Sequence, residues 1–246
     1  MSTVPLRPTT TAATIAGPHA APTIDVLFDF VCPWCLIGKR QLDRALRRLA
    51  TADRDVRPVV AWHGVQLLPD TPRAGVDYQA FYVARLGSPA AVAARREQVR
   101  TVARSAGLEL AFERIRVLPN TALAHRVAAY AASAGADGLQ AALIDRIFSA
   151  YFIDGDDIGD PAVLERLAVA CGLPADGVRA VLGADANGAN GASGASGARI
   201  APPAALRASN GVPTFVFDGA ETLSGAVPPD VLVAAACRAL VRREAA

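Results

Sequence analysis

The sequence Ile24-Asp25-Val26-Leu27-Phe28-Asp29-Phe30 is apolar on both of its alternating faces for most of its length, and Cys32-Pro33-Trp34-Cys35 follows after one residue. Such an apolar run is typical of a strand in the middle of a covered sheet. Beyond the cysteines, apolar residues recur at helical spacing, and Pro33 suits a first helical turn because its missing N–H costs little there. A valine-rich second strand is predicted from Arg57 to Trp62. Strand, helix and strand in this order form a βαβ unit.

A long helical block follows this unit. From about Pro72 to Leu182 the apolar residues recur with a helical period. The best delimited helix has Asp160 as its N-cap, Pro161 at its first position and Gly172 after its end. We therefore predict an α/β fold in which a large, all-helical insertion follows the βαβ unit.

The chain changes character again before its C-terminus. Residues 183–200 repeat small residues without an apolar period, which predicts a flexible linker. Gly211–Phe217 is predicted to be a strand that forms a hairpin with the residues after a turn at Asp218-Gly219. A last helix is predicted from Pro229 to Arg243, with Val233, Cys237 and Leu240 on one face.

The predicted domain organisation follows from these boundaries. We expect a disordered N-terminal tail over residues 1–22, and an α/β domain built from residues 23–70 and 201–246. The helical insertion domain occupies residues 71–182, and the flexible linker occupies residues 183–200.

The composition excludes several classes of protein. Of the 246 residues, 52% are hydrophobic and 20% are charged, so the chain can bury a sizeable core and global disorder is excluded. The formal net charge of +2 is too small to favour nucleic acid as a partner. No apolar run has the length that a signal peptide or a membrane span of roughly 20 residues needs. We therefore predict a cytoplasmic protein without a membrane partner, whose oligomeric state the sequence does not define.

Cys32 and Cys35 carry the predicted chemistry. Two cysteines three positions apart at a helix start face the same side and are close enough to form a disulfide. Free N–H groups and the helix dipole at the position of Cys32 can lower a thiol pKa from about 8.5 to roughly 3.5–7.5. The thiolate is the attacking species in disulfide exchange. We therefore predict that Cys32 attacks and that Cys35 resolves the mixed disulfide.

A pair of cysteines with this spacing can also be half of a zinc site, which needs two further ligands at similar spacing. Here Cys171 and Cys237 stand alone and the three histidines are scattered, so no metal is predicted. Cys171 and Cys237 each lie on the apolar stripe of a predicted helix. We expect both to be buried small hydrophobic residues.

The segment from Asp29 to Arg40 resembles the active-site region of the DsbA family, specifically its FrnE-like branch. The resemblance covers most of the chain, from residue 24 to residue 226. Its further blocks are Asn120-Thr121, Ala124-His125-Arg126, Ala150-Tyr151-Phe152, Asp157-Ile158-Gly159-Asp160-Pro161, Gly211-Val212-Pro213-Thr214-Phe215 and Ser224-Gly225-Ala226.

The resemblance implies a thioredoxin-like fold and several site residues beyond the two cysteines. It implies a cis peptide bond at Val212-Pro213 against the cysteine pair, where sequence physics alone gives an X–Pro bond only about a 5–6% chance of being cis. Val212 could then pair with an extended substrate as an added strand. Pro33, Trp34, Val212 and Pro213 are the residues predicted to shape the active site. Candidates for a substrate groove are Phe30, His63, Asn120 and Thr214.

Two histidines, His63 and His125, each have a catalytic and a structural interpretation. His63 follows Trp62 at the end of the second strand, where a proton carrier near the site is conceivable. A surface or loop histidine without a catalytic role is the favoured interpretation. His125 occupies a position that resembles the family, on an alanine-rich helix, and is expected to pack or hydrogen-bond there rather than to catalyse.

The resemblance implies a thiol–disulfide oxidoreductase whose substrate is a protein or a small molecule. It implies no cofactor beyond the redox-active disulfide, with glutathione as a candidate co-substrate. Kappa-class glutathione transferases and hydroxychromene-carboxylate isomerases are an alternative, because they share the helical insertion and Asn120 but typically use serine in place of Cys32. A non-catalytic, peptide-binding or chaperone-like module is the third alternative.

The direction of electron flow is not predicted. Pro33-Trp34 matches neither the Gly-Pro of thioredoxin-like reductants nor the Pro-His of strong periplasmic oxidants. Known enzymes of this type differ by about 150 mV in reduction potential, which is about 7 kcal/mol for two electrons. Hydrogen bonds and charges around one sulfur set that difference.

Overall fold

The computed structural model of the chain describes residues 21–52, 57–134, 138–184 and 211–245. The predicted tail and linker lie outside these ranges, apart from residues 21, 22, 183 and 184. Their predicted disorder and the domain boundaries that depend on them stay predictions.

A four-stranded mixed sheet forms the first layer of the fold. Its spatial order is β2-β1-β5-β6. The central strand β1 runs parallel to β2 and antiparallel to β5, and β5 runs antiparallel to β6. The ranges are β1 (Thr23–Phe28), β2 (Val59–Gly64), β5 (Thr214–Phe217) and β6 (Glu221–Ser224).

The hairpin turn between β5 and β6 is where the sequence predicts it. Asp218 and Gly219 both have positive φ, 49° and 68°. They are the central residues of a turn that the N–H of Ala220 closes on the carbonyl of Phe217, and this handedness matches the twist of the paired strands. Glycine and aspartate adopt such φ values readily. The side chain of Asp218 also accepts hydrogen bonds from the backbone and hydroxyl of Thr23, which ties the turn to the start of β1.

Two long helices cover one face of this sheet: α1 (Pro33–Ala52) and the last helix, α8 (Pro229–Glu244). The predicted apolar face of α8 is wrong by about a third of a turn. Its buried residues are Leu232, Ala235, Ala236 and Ala239, and they pack in one cluster with β1, β5 and α1. Because small alanines let α8 approach closely, this stripe is the inward face and Cys237 is exposed. Cys171 is only half-buried, so full burial was wrong for both cysteines.

The block between β2 and β5 contains six α-helices among the described residues, together with a two-stranded ladder that the sequence did not predict. The ladder pairs β3 (Val76–Asp77) with β4 (Val117–Leu118). The helices are α2 (Tyr78–Leu86), α3 (Pro89–Ser105), α4 (Ala122–Ser133), α5 (Leu139–Ser149), α6 (Pro161–Ala170) and α7 (Ala175–Gly183).

The start of α6 confirms its sequence prediction. Asp160 is the N-cap, its carboxylate accepts a hydrogen bond of 2.8 Å from the backbone N–H of Ala162, and Pro161 occupies the first turn. Gly172 follows the helix with a φ of 98°, the left-handed conformation that commonly ends helices.

The helical block and the start of α1 share one hydrophobic core. Phe148 on α5 contacts the rings of Phe28 and Phe30, with ring centroids 6.0 and 5.0 Å apart. Cys32 and Cys35 belong to the same cluster of buried residues. The α/β fold with a helical insertion is thus confirmed, and the cysteine pair lies where its two parts meet. Within the described ranges, no helix is both long and apolar enough to cross a membrane.

Candidate active site

The two thiols lie at the N-terminus of α1, after a turn that leaves β1. The N–H of Cys32 donates to the carbonyl of Asp29 at 3.1 Å, and the N–H of Cys35 donates to the carbonyl of Cys32 at 3.0 Å. Helix α1 begins at Pro33, so Cys32 immediately precedes the helix and Cys35 is one turn in. Both thiols are free and both are buried, with 7% and 2% of their surfaces exposed.

The environments of the two sulfurs shift their pKa values in opposite directions. The pKa of Cys32 is lowered, mainly by a hydrogen bond from the Cys35 thiol, with help from the backbone N–H groups of Trp34 and Cys35 and against the effect of burial. Burial is the main reason that the pKa of Cys35 is raised well above its usual value, and the neighbouring Cys32 raises it further. This arrangement makes Cys32 the easier of the two thiols to deprotonate and keeps the proton on Cys35.

A buried acid–histidine pair lies behind the thiols. Asp29 is completely buried, and its carboxylate accepts a hydrogen bond of 2.8 Å from the N–H of Leu67. Nε2 of His125 lies 3.0 Å from the other carboxylate oxygen. The negative charge of Asp29 raises the pKa of both thiols. His125 thus hydrogen-bonds and packs, as expected for it, but its pairing with Asp29 was not predicted.

Gly64, the last residue of β2, makes room for the imidazole ring. A Cβ at Gly64 would lie 2.1 Å from Nδ1 of His125, so a larger residue there would displace the ring. Nδ1 is buried without a hydrogen-bond partner. A proton on Nδ1 would leave a buried N–H donor without an acceptor, which costs free energy. The tautomer with the proton on Nε2 avoids this cost, so Nε2–H donates to the carboxylate of Asp29.

The loop before β5 closes over the nucleophile. The Val212–Pro213 peptide bond is cis, and the carbonyl oxygen of Val212 lies 3.8 Å from Sγ of Cys32. Gly38, one turn after Cys35, lets this loop approach α1, because a Cβ there would lie 2.8 Å from Cγ of Pro213. Thr214 is fully buried, and its hydroxyl donates to the carbonyl of Gly211 at 2.7 Å.

A groove of about 400 Å³ opens beside Cys32, and we call it the Cys32 groove. Residues from the start of α1, from the segment after β2, from α2 and α3, and Phe112 form its walls. They are Val31, Cys32, Pro33, Trp34, Leu67, Leu68, Tyr78, Phe81, Tyr82, Arg85, Leu86, Val92, Arg95, Arg96, Val99 and Phe112.

Of the residues predicted for the active site, the structure brings Cys32, Pro33 and Trp34 to this groove. The four candidates for a substrate groove are not among its lining residues. Phe30 is buried in the core, and Thr214 is buried at the start of β5.

The other two candidates hold protein segments together. Asn120 accepts hydrogen bonds from the side chain of Gln66 and the backbone of Ala122, and it donates to the carbonyl of Thr71 at 2.6 Å. His63 lies in β2, with Nε2 2.7 Å from a carboxylate oxygen of Asp25. Its side chain is only 10% exposed, so the expectation of a surface or loop histidine was wrong.

The sequence analysis missed the groove residues of α2 and α3. On α2 they are Tyr78, Phe81, Tyr82, Arg85 and Leu86, and on α3 they are Val92, Arg95, Arg96 and Val99. Apart from Leu86, both sets have the spacing i, i+3, i+4, i+7 of a single helix face. The signal that could have found them is a pair of arginines inside an apolar stripe, between Val92 and Val99.

The described residues bring together no group of three His, Cys, Asp or Glu side chains that could hold a metal ion.

Comparison with known proteins agrees with this geometry. No curated protein matches the chain. Among solved structures, a probable DsbA oxidoreductase from Streptomyces coelicolor is 28% identical, with a TM-score of 0.70 and 89% of each chain covered. A 2-hydroxychromene-2-carboxylate isomerase is 17% identical, with a TM-score of 0.55 over 91% of this chain and 98% of its own. The cytosolic disulfide reductase DsbM from Pseudomonas aeruginosa, solved with GSH, is 21% identical, with a TM-score of 0.50 over the same shares of the two chains.

At these identities the isomerase and the reductase share the fold with this chain, and the fold alone. The family model for the DSBA-like thioredoxin domain matches residues 23–236, which is most of the chain and includes the sheet, the helical block and both cysteines. The chain therefore belongs to the DSBA-like thioredoxin domain family.

Proposed function

We propose that this protein is a thiol–disulfide oxidoreductase that exchanges disulfides through Cys32 and Cys35. The observation that carries the proposal is the geometry of the two thiols. They lie one turn apart at the N-terminus of α1, with the carbonyl oxygen of Val212 3.8 Å from Sγ of Cys32. The attacking sulfur in disulfide exchange is a thiolate, and the resolving sulfur keeps its proton until the mixed disulfide has formed. The pKa of Cys32 is lowered and that of Cys35 is raised, and these two directions suit the two roles.

In the reducing direction, the Cys32 thiolate attacks one sulfur of a substrate disulfide. The substrate S–S bond breaks, a Cys32–substrate disulfide forms, and the leaving thiolate takes a proton. Cys35 then loses its proton and attacks Sγ of Cys32, which forms the Cys32–Cys35 disulfide and releases the second substrate thiol. Two electrons pass from the cysteine pair to the substrate, and the reverse sequence oxidises a dithiol. Asp29 is the buried carboxylate that we propose accepts the Cys35 proton, with His125 holding it in place.

The disulfide itself is the proposed electron carrier, and we propose no bound cofactor. The FrnE-like branch is the proposed subfamily, supported by the Cys32-Pro33-Trp34-Cys35 motif and the Val212-Pro213 loop that meet in the site. Cytoplasmic location likewise stays a proposal.

The test is the equilibrium reduction potential of the Cys32–Cys35 couple in glutathione buffers, with the pKa of Cys32 measured in the same preparation. A reversible two-electron couple and a Cys32 pKa below that of a free thiol are expected. The value of the potential distinguishes an oxidant or isomerase from a reductant. Failure of the two cysteines to form a disulfide, or an ordinary Cys32 pKa, would falsify the proposal.

A glutathione-dependent transferase or isomerase is the second candidate. It is favoured by the fold shared with the 2-hydroxychromene-2-carboxylate isomerase and with DsbM, which was solved with GSH. Such an enzyme needs Cys32 but no resolving thiol. A Cys35→Ala variant that consumes glutathione with an electrophilic substrate at the rate of the parent protein would favour this candidate over the first.

A further inference from the structure

The Cys32 groove has aromatic walls. Tyr78, Phe81 and Tyr82 line it from α2, Trp34 lines it from the start of α1, and Phe112 lines it from the segment after α3. Its volume of about 400 Å³ is in the range of sites that hold one small molecule. Flat aromatic walls favour flat or apolar ligands, because such surfaces bury a large area at little conformational cost.

Three arginines line the same groove, and no carboxylate lines it. Its lining includes Arg85, Arg95 and Arg96 and contains neither aspartate nor glutamate. The side chains that accept hydrogen bonds from the two α3 arginines are neutral: Arg95 donates to Gln98 at 3.2 Å, and Arg96 donates to Gln79 at 2.7 Å. The pKa of Glu113, which lies outside the lining, is lowered mainly by its hydrogen bond from Arg100 and to a smaller extent by the charge of Arg96.

Both of these guanidinium groups also lie over aromatic rings of the groove. The Arg95 group is 5.7 Å from the centroid of Trp34, and the Arg96 group is 5.1 Å from that of Tyr78. This stacking fixes the charged groups beside the aromatic walls. Nε of Arg96 is in addition a buried donor without a hydrogen-bond partner.

Other arginines of α3 form ion pairs with carboxylates, unlike the arginines that line the groove. Arg104 forms an ion pair of 2.7 Å with Glu97, and Arg100 pairs with both Glu97 and Glu113. Both carboxylates, Glu97 and Glu113, lie outside the lining residues of the groove. The positive charges do not serve mainly to stabilise the Cys32 thiolate either, because its lowered pKa is due chiefly to Cys35 and to backbone N–H groups.

We propose that the Cys32 groove binds the non-reacting part of a low-molecular-weight thiol or disulfide, and that this part is aromatic or similarly flat and carries a carboxylate or comparable anionic group. The inference rests on the proposed function and names its class of substrate. Cys32 attacks the substrate disulfide, the aromatic thiolate leaves with the electron pair of the broken S–S bond, and Cys35 releases the second half. The Cys32–Cys35 disulfide is the oxidised product, and a dithiol reductant returns it to the thiols.

The first experiment measures binding without sulfur chemistry. Calorimetry on the full-length Cys32→Ser protein compares 2-naphthoate with uncharged 2-naphthamide. The carboxylate is expected to bind at least tenfold more tightly, with an advantage that falls as ionic strength rises. A double variant, Arg95→Gln with Arg96→Gln, is expected to reduce the advantage to less than twofold, and the matched control Arg104→Gln to preserve it. Equal binding of the two probes, no binding of either, or an advantage that survives in the double variant overturns the proposal.

The second experiment measures the reaction of the reduced parent protein with three disulfides. These are 5,5′-dithiobis(2-nitrobenzoate), which is aromatic and anionic, 4,4′-dithiodipyridine, which is aromatic and uncharged, and glutathione disulfide, which is anionic and not aromatic. Each rate is divided by that of a free thiol with the same disulfide. The normalised rate is expected to be highest for the first compound, to saturate with its concentration, and to fall at least tenfold in the double variant, against less than twofold for the dipyridine.

The outcomes test the proposed substrate class and the proposed function separately. Equal normalised rates with all three disulfides would leave the oxidoreductase intact and refute the proposed substrate class. If no disulfide oxidises the Cys32–Cys35 pair, the proposed function fails, and the binding experiment still reports on the groove.

Discussion

Substituting Gly38 with alanine tests how closely the Pro213 loop packs on α1. The new Cβ would lie 2.8 Å from Cγ of Pro213 and 3.2 Å from Cζ of Phe215. Neither neighbour can withdraw freely, because both are buried and Phe215 belongs to the cluster beneath α1 and α8.

The size of the effect follows from two opposing contributions. Overpacking a well-packed core costs about 1–3 kcal/mol. Replacing glycine by alanine inside a helix returns roughly 0.5–1 kcal/mol. We therefore expect Gly38→Ala to lower the free energy of unfolding by about 1–2 kcal/mol, because the packing cost exceeds the gain in helix propensity.

The assay is urea unfolding of the reduced protein, followed by circular dichroism. The free energies of unfolding of variant and parent are compared with a shared m-value, the slope of the free energy against urea concentration. The matched control is Gly183→Ala at the end of α7, where a new Cβ has nothing within 4 Å. That variant should be unchanged, or more stable by at most about 1 kcal/mol. If Gly38→Ala is as stable as the parent, the loop yields without cost and the packing argument is wrong.

Three further predictions concern the thiols and the buried pair. Asp29→Asn should lower the pKa of Cys32, because the charge of the Asp29 carboxylate raises that pKa. Titration of the thiolate absorbance at 240 nm measures the pKa, and an unchanged or higher value contradicts the prediction. Iodoacetamide should alkylate Cys32 at pH values below the usual thiol pKa and leave Cys35 unmodified until higher pH, because the two pKa values are shifted in opposite directions. Mass spectrometry of the cysteine-containing peptides distinguishes the two thiols, and equal labelling would refute the assignment. Gly64→Ala should destabilise the protein by about 1–3 kcal/mol, since its Cβ overlaps the His125 ring; urea unfolding measures the loss, and an unchanged histidine NMR resonance would show that the ring has not moved.

Local patterns predicted the elements that local physics determines. The apolar run before Cys32 became β1, Pro33 became the first residue of α1, and Asp160 became an N-cap. The turn at Asp218-Gly219 formed because positive φ is needed there and those residues tolerate it. Each of these features depends on residues within a few positions of one another.

Features that depend on distant contacts were missed. The inward face of α8 depends on which side chains let two helices approach. In the structure the alanines of α8 are buried against α1, and Val233 and Leu240 are not fully buried. The pairing of Asp29 with His125 joins residues 96 positions apart. In the Cys32 groove, Arg95 and Arg96 meet Trp34 and Tyr78 only because α2 and α3 fold against the start of α1. Helical periodicity placed these arginines on a helix and gave no indication of what they face.

The effect of Cys32 on the pKa of Cys35 explains why attack by Cys32 precedes attack by Cys35. Burial is the main cause of the raised pKa of Cys35, and the hydrogen bond and charge of Cys32 raise it further. When Cys32 enters a mixed disulfide its thiolate disappears, so those two contributions are removed and only burial and Asp29 still oppose ionisation of Cys35. The first step therefore makes the second nucleophile easier to ionise.

A Cys32→Ala variant imitates the loss of that thiolate. Its Cys35 pKa should be lower than in the parent, as measured by the pH dependence of alkylation in a protein whose Cys171 and Cys237 are replaced by serine in both cases. The comparison has a fixed sign, because removing a negative neighbour always favours a second thiolate. A Cys35 pKa that stays the same or rises would mean that burial alone holds the proton, and that the timing of resolution must come from movement of the substrate or of the Pro213 loop.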